Sequence, residues 1–118
     1  MKTHKDLEVY KLAIDYVTKI YRVTAKFPKE EQFGISNQMR RAAVSIPSNI
    51  AEGSARQGNK ELIHFLYIAL GSVAELETQL TIAKNLQFIT VVEFEKLVKE
   101  INQIGMMLSG LIKYRKTQ

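Results

Sequence analysis

Glu61-Leu62-Ile63-His64 sets an acid and an imidazole three positions apart, on one face of any helix that contains them. Bundle-type di-metal carboxylate proteins use that Glu-x-x-His unit twice, with a further Glu from each of two more helices. Here the unit occurs once, and the other histidine, His4, stands in the N-terminal tail. His64 is therefore read as a satisfied or solvent-facing side chain, with no metal and no cofactor expected. Glu75 and Glu77, two positions apart on a helix, point in different directions and cannot flank one bond as acid and base. They are expected as surface charges or as partners for Arg40 or Arg41 across the fold. Ser36, Ser45, Ser48, Ser54, Ser72 and Ser109 have no adjacent histidine to act as a base. Gly53-Ser54-Ala55 and Gly71-Ser72 are isolated small residues rather than a phosphate loop. Cysteine is absent, which removes thiolate chemistry and disulfides. The expectation is a binding or assembly module, not an enzyme.

Charge gives the second line of chemistry. Seventeen Lys and Arg against twelve Asp and Glu leave +5 and a pI near 9.5, a balance suited to RNA, DNA or an acidic protein surface. The cations divide into Lys11, Lys19, Arg22 and Lys26 early in the chain, Arg40, Arg41 and Arg56 in its second quarter, and Lys113, Arg115 and Lys116 at the end. The last set is also explained by the preference of cations for a helix C-terminus. The first set forms a stripe without interleaved aromatics, so nucleic-acid binding there should be phosphate-driven and salt-sensitive. Lys11, Lys19, Arg22, Lys26, Arg40, Lys113, Arg115 and Lys116 are the candidate contacts.

The elements that must position these groups are helical. At 118 residues, 46% apolar and 25% charged, the chain suits one globular domain. The spacing predicts helices over about 6–26, 36–55, 59–85 and 90–115. In the first, Leu7, Tyr10, Ile14, Val17 and Tyr21 are taken as the core face, and Phe27-Pro28 as its end. The connector 28–34 has room for a short helical turn. The second presents Met39, Ala43, Ile46 and Ile50, with a kink expected at Pro47 and a clean break as the alternative. Gln57-Gly58 stops it, and Asn59 is expected to cap the third helix, whose core row is Leu62, Phe65, Leu66, Ala69, Val73, Leu76 and Leu80. Thr90-Val91-Val92-Glu93 has the form of a capping box ahead of Phe94, Leu97, Ile101, Ile104, Leu108 and Leu111. Short connectors make antiparallel neighbours, so the fold expected is all-α, an up-down-up-down four-helix bundle. A three-helix core with the fourth docked elsewhere is the competing arrangement. No run approaches the ~20 apolar residues that span a bilayer, and the opening Met1-Lys2-Thr3-His4-Lys5-Asp6 lacks the apolar segment of a signal peptide. The cytoplasm is the expected compartment.

A second apolar row stands on two helices. Val9, Leu12, Tyr16 and Val23 lie about 120° from the first core face. Ile63, Tyr67, Leu70 and Ala74 make a second row beside the core row of the third helix. A helix apolar nearly all round is central in a large core or buried between subunits, and this chain is too small for the former. These eight residues are therefore the expected homo-oligomer contacts. Arg41, Ser45, Ser48 and Glu52 form a polar row on the second helix; with Asn49 and Glu75 they are expected to fix helix or subunit register.

The stretch from Phe27-Pro28-Lys29-Glu30-Glu31 through Gly34-Ile35-Ser36-Asn37-Gln38-Met39-Arg40-Arg41-Ala42-Ala43-Val44-Ser45-Ile46-Pro47-Ser48-Asn49-Ile50-Ala51-Glu52-Gly53 resembles the signature of proteins encoded within 23S ribosomal RNA intervening sequences. Phe65-Leu66-Tyr67-Ile68-Ala69-Leu70-Gly71-Ser72-Val73-Ala74-Glu75-Leu76-Glu77 and the opening Asp6-Leu7-Glu8-Val9 are similar too, so the resemblance spans nearly the whole chain. It implies a four-helix bundle assembled as a ring-like homopentamer. It also implies kinship with accessory proteins of diversity-generating retroelements, which bind nucleic acid and a reverse transcriptase. It implies no catalytic residues. The leading expectation is a homo-oligomer that binds RNA or DNA backbone; the alternative is a protein-interaction scaffold, for example for a reverse transcriptase.

Overall fold

Four α-helices follow one another in the computed structural model, which describes His4 and residues 7–118: α1 Glu8–Thr24, α2 Ile35–Ala55, α3 Asn59–Asn85 and α4 Val91–Lys116. Among the described residues there is no strand, and a 3₁₀ turn, Lys29–Glu31, occupies the first connector. The expected helix start at Asp6, and the other opening residues Met1, Lys2, Thr3 and Lys5, lie outside the described residues. The molecule is a rod of 45 × 23 × 21 Å. No helix among the described residues is long and apolar enough to cross a membrane.

Each helix packs on its neighbours in sequence, and α4 returns to α1. The α2–α3 seam is made by small groups. Gly53 comes so near α3 that a Cβ there would lie 2.8 Å from Phe65 Cβ, and Ser72 Oγ donates to Ser45 Oγ at 2.9 Å. Met39, Ala43, Ile46 and Ile50 are buried as the sequence predicts. Pro47 sits inside an uninterrupted α2, which sets aside the break into two helices. Its ring cannot donate to the carbonyl one turn back, and Ala42 and Ala43 keep that turn small. On the α3–α4 seam Gly105 lets Val73 approach, with Val73 Cγ1 3.3 Å from where a Cβ would stand. Asn59 Nδ2 donates to the Arg115 carbonyl, bringing the start of α3 beside the end of α4.

Two expectations are corrected. On α1 the core face is shifted from the expected one: Val9 and Tyr16 of the second row are buried with Ala13 and Ile20, Ile14 and Tyr21 of the first are 42% and 43% exposed, and Leu7, Tyr10, Leu12, Val17 and Val23 are half-buried alike. Ala13 lets α1 settle on this face, and the Tyr16 hydroxyl is buried because it donates to the Leu97 carbonyl at 2.7 Å. Asn59 is not the cap of α3. Gly58, at φ 116°, holds that position without a side-chain acceptor, and Asn59 instead ties α3 to α4. The capping box of α4 is formed as expected: Glu93 N donates to Thr90 Oγ1, and Thr90 N to Glu93 Oε1, each at 3.0 Å.

Candidate nucleic-acid interface

The early cationic stripe is partly neutralised. Lys11 lies 3.7 Å from Glu8, and Lys19 is paired with Glu100 of α4. Arg40 faces inward: its Nε donates to Thr24 Oγ1 at 2.8 Å, its Nη2 to the Tyr21 carbonyl at 3.4 Å, and its guanidinium lies 4.6 Å from the centre of the Tyr21 ring. It holds the Tyr21 carbonyl and the Thr24 hydroxyl in the last turn of α1, where a cation is favoured, so it is a structural residue and not a free contact. Arg22 and Lys26 remain exposed and in no ion pair among the described residues.

The opposite end of the rod gathers the other cations. Lys113, Arg115 and Lys116 occupy the last turns of α4. Lys116 Nζ donates to Tyr67 Oη at 2.7 Å and lies 5.2 Å from that ring's centre. Tyr67, Ser109, Lys113 and Lys116 share a shallow hollow. A neighbouring hollow of about 350 Å³ is lined by Gly53, Ser54, Arg56, Gly58, Asn59, Leu62, Arg115 and Gln118. Arg56 lies 5.2 Å over the Phe65 ring and 3.6 Å from Glu52. Aromatic rings thus stand beside cations at this end, as Tyr21 does beside Arg40 at the other. Tyr67 is 46% and Tyr114 58% exposed among the cations. Sequence reading missed the pairing of Tyr67 with Lys116 because 49 residues separate them. Lys at a helix C-terminus and Tyr on the facing helix were both visible, but the register joining them was not.

Of the eight expected oligomer contacts, Val9 and Tyr16 lie in the core, and Leu12, Val23, Ile63 and Leu70 are half-buried against it. Burial raises the Tyr16 phenol well above its ordinary value, with the charges of Glu100 and then Glu77 adding to the effect. Only Tyr67 and Ala74 of the eight are exposed. The apolar surface left open is different: Ile14 and Tyr21 on α1, Val44 on α2, and Ile68 beside Tyr67 on α3. In the polar row only Ser45 reaches another helix, through Ser72; Asn49 Nδ2 bonds back to Ser45 O and Oγ at 2.7 and 2.9 Å. Glu52 pairs within its own helix with Arg56, and Glu75 accepts from Gln79 at 3.2 Å. Arg41 is exposed, and neither it nor Glu75 is in an ion pair among the described residues. His64 is exposed, its ring set edge-on to Phe65. No group of three His, Asp or Glu gathers among the described residues.

The family model described as 23S rRNA-intervening sequence protein matches residues 5–110. A crystal structure of a protein of unknown function, from the S23 ribosomal protein family of Bacteroides thetaiotaomicron, is 26% identical; the alignment covers 89% of this chain and 95% of that one, with a TM-score of 0.83. No curated protein matches the chain. The matched stretch stops at residue 110, so Lys113, Arg115 and Lys116 lie past it.

Proposed function

The chain belongs to the 23S rRNA-intervening sequence protein family, and from that membership we propose that it is a non-catalytic up-down-up-down bundle that self-associates and binds RNA or DNA backbone in the cytoplasm. The observation that carries the binding reading is the group of Lys113, Lys116 and Tyr67, where exposed cations surround a half-exposed ring. Cations supply phosphate affinity, and an aromatic face stacks bases without demanding sequence. Arg22 and Lys26 add charge at the other end. The test is a titration of labelled single- and double-stranded RNA and DNA at several salt concentrations. A Lys113→Glu/Lys116→Glu variant should lose most low-salt affinity, and Lys19→Glu/Arg22→Glu a smaller part. Equal binding by wild type and the first variant counts against this interface.

Self-association is supported by the apolar surface that one copy leaves open. Ile14, Tyr21 and Val44 lie on the α1–α2 side, while Tyr67 and Ile68 flank Gly71 on α3. Gly71 has nothing within 4 Å of where a Cβ would be, although glycine inside a helix is destabilising by about 0.5–1 kcal/mol relative to alanine. No contact among the described residues accounts for it, whereas close approach by a second copy would. Two different faces on one subunit make a head-to-tail contact, which closes into a ring if the rotation permits, and a pentamer is the ring that the family likeness implies.

A second reading has its own observation. Phe33, Leu86, Val91 and Val92, at the end of the rod away from Lys113, are 87%, 53%, 59% and 78% exposed. Such a patch fits a protein partner, for example a reverse transcriptase, with the bundle as scaffold. Binding of no nucleic acid at low salt, together with loss of a co-purifying protein in Val92→Glu, favours this reading over the first.

A further inference from the structure

We propose that the hollow between the start of α3 and the end of α4 is a seat for a single phosphate group. The proposal rests on the nucleic-acid reading only for the source of that phosphate, and the hollow itself stands on its own geometry. Arg115 is half-buried, its Nε is covered and without a partner, and no carboxylate pairs with it among the described residues. A covered guanidinium nitrogen left without an acceptor is destabilising, and an acceptor oxygen brought against Arg115 removes that penalty. The Arg115 backbone carbonyl accepts from Asn59, which ties the last turn of α4 to the start of α3.

Arg56 faces the same hollow from the end of α2. The Phe65 ring lies under its guanidinium at 5.2 Å, and its one carboxylate neighbour, Glu52, is 3.6 Å away with both side chains about half exposed. That pairing is weak, and it leaves most of the Arg56 donors free. Gly58 lines the hollow with the two arginines; it gives α3 no side-chain acceptor, and nothing lies within 4 Å of where its Cβ would be. The first amides of α3 thus add donors to those of the arginines, though they would not make a site alone. Two guanidinium forks and a row of amides, arriving from three directions, match a tetrahedral group with several acceptor oxygens better than a flat carboxylate. Two sources of phosphate share this chemistry: a nucleic-acid backbone and a small phosphorylated molecule.

The test follows the amides of Gly58, Asn59 and Lys60 and the Arg115 Nε–H by NMR, with inorganic phosphate and a single-stranded octanucleotide as the two probes. Both should shift these signals, and Arg115→Gln and Arg56→Gln should each weaken the effect about tenfold. Shifts from the octanucleotide at far lower concentration than from inorganic phosphate assign the seat to nucleic acid. Shifts from inorganic phosphate, with the octanucleotide confined to the Lys113 and Lys116 signals, assign it to a small phosphorylated ligand. If neither probe moves the Gly58–Lys60 amides, the seat is refuted even where the octanucleotide binds at Lys113 and Lys116. If inorganic phosphate moves them and the octanucleotide binds nowhere, the seat stands and the nucleic-acid function falls. Unchanged affinity in both glutamine variants also overturns the proposal, since either variant alone tests one fork.

Discussion

Gly53 and Gly71 are both glycines inside helices, and they make opposite predictions. A Cβ at Gly53 would stand 2.8 Å from Phe65 Cβ and 3.2 Å from Leu62 Cδ1, so Gly53→Ala must push α2 and α3 apart. Overpacking of that kind is destabilising by about 1–3 kcal/mol, read as a lower urea midpoint. Gly71→Ala meets nothing within 4 Å and should stabilise an isolated subunit by about 0.5–1 kcal/mol. If Gly71 lies in a contact between copies, the same change lowers the assembled mass at dilution; a more stable subunit with unchanged mass would remove Gly71 from that contact. Tyr16 adds a dependence on pH. Its phenol is neutral when protonated, and burial raises its folded value above the unfolded value of about 10. Its contribution is therefore complete below about pH 10 and declines as pH rises beyond that value, because the unfolded chain releases the proton first. Denaturation midpoints between pH 9 and 11.5 should fall more steeply for wild type than for Tyr16→Phe, and parallel curves would deny the phenol that role.

The helices differ in how clearly their sequences announce them. At α4, Thr90 and Glu93 form a local motif in which each side chain meets the other's backbone, so two residues one turn apart decide the outcome. Thr90→Ala should be destabilising by about 1 kcal/mol, and helicity lost from the start of α4 should accompany it in amide exchange. At α3 the local signal misled, because Asn59 has a distant partner, the Arg115 carbonyl, which no short-range rule reveals. On α1 the failure is one of degeneracy. Leu7, Tyr10, Ile14, Val17 and Tyr21 make as good a stripe as Val9, Leu12, Tyr16 and Val23, and periodicity cannot rank two stripes on one helix. The decision came from Ala13, small enough for close packing, and from the Leu97 carbonyl that accepts from Tyr16. On α2, by contrast, Met39, Ala43, Ile46 and Ile50 had no apolar rival, and the core face was legible. The site followed the same division. Lys113, Arg115 and Lys116 were visible as a run, while Arg56, Asn59 and Tyr67 joined them only through packing between helices.

The whole rod is chemically lopsided along its length. Lys113, Arg115, Lys116 and Arg56 mark one end, and the exposed Phe33, Leu86, Val91 and Val92 mark the other. The two ends thus offer different chemistry, and the α1–α2 side between them carries the exposed Ile14, Tyr21 and Val44. That geometry separates the tests. On the side, Ile14→Glu/Tyr21→Glu changes residues already 42% and 43% exposed, so the subunit should fold normally and lose assembly in light scattering. Tyr16→Glu, by contrast, places a charge in the core and should unfold the subunit. At the basic end, each phosphate contact contributes about 0.7–0.9 to the slope of log affinity against log salt. Lys113→Gln/Lys116→Gln should therefore flatten that slope by about 1.5 per subunit engaged, with little preference among sequences lost because little was present. If several subunits of a ring touch one strand, the flattening is a multiple of that value, and Ile14→Glu/Tyr21→Glu should reduce it to the single-subunit figure. An unaltered slope in the glutamine variant would show that the strand lies elsewhere on the rod, with the Arg22 and Lys26 end next in line.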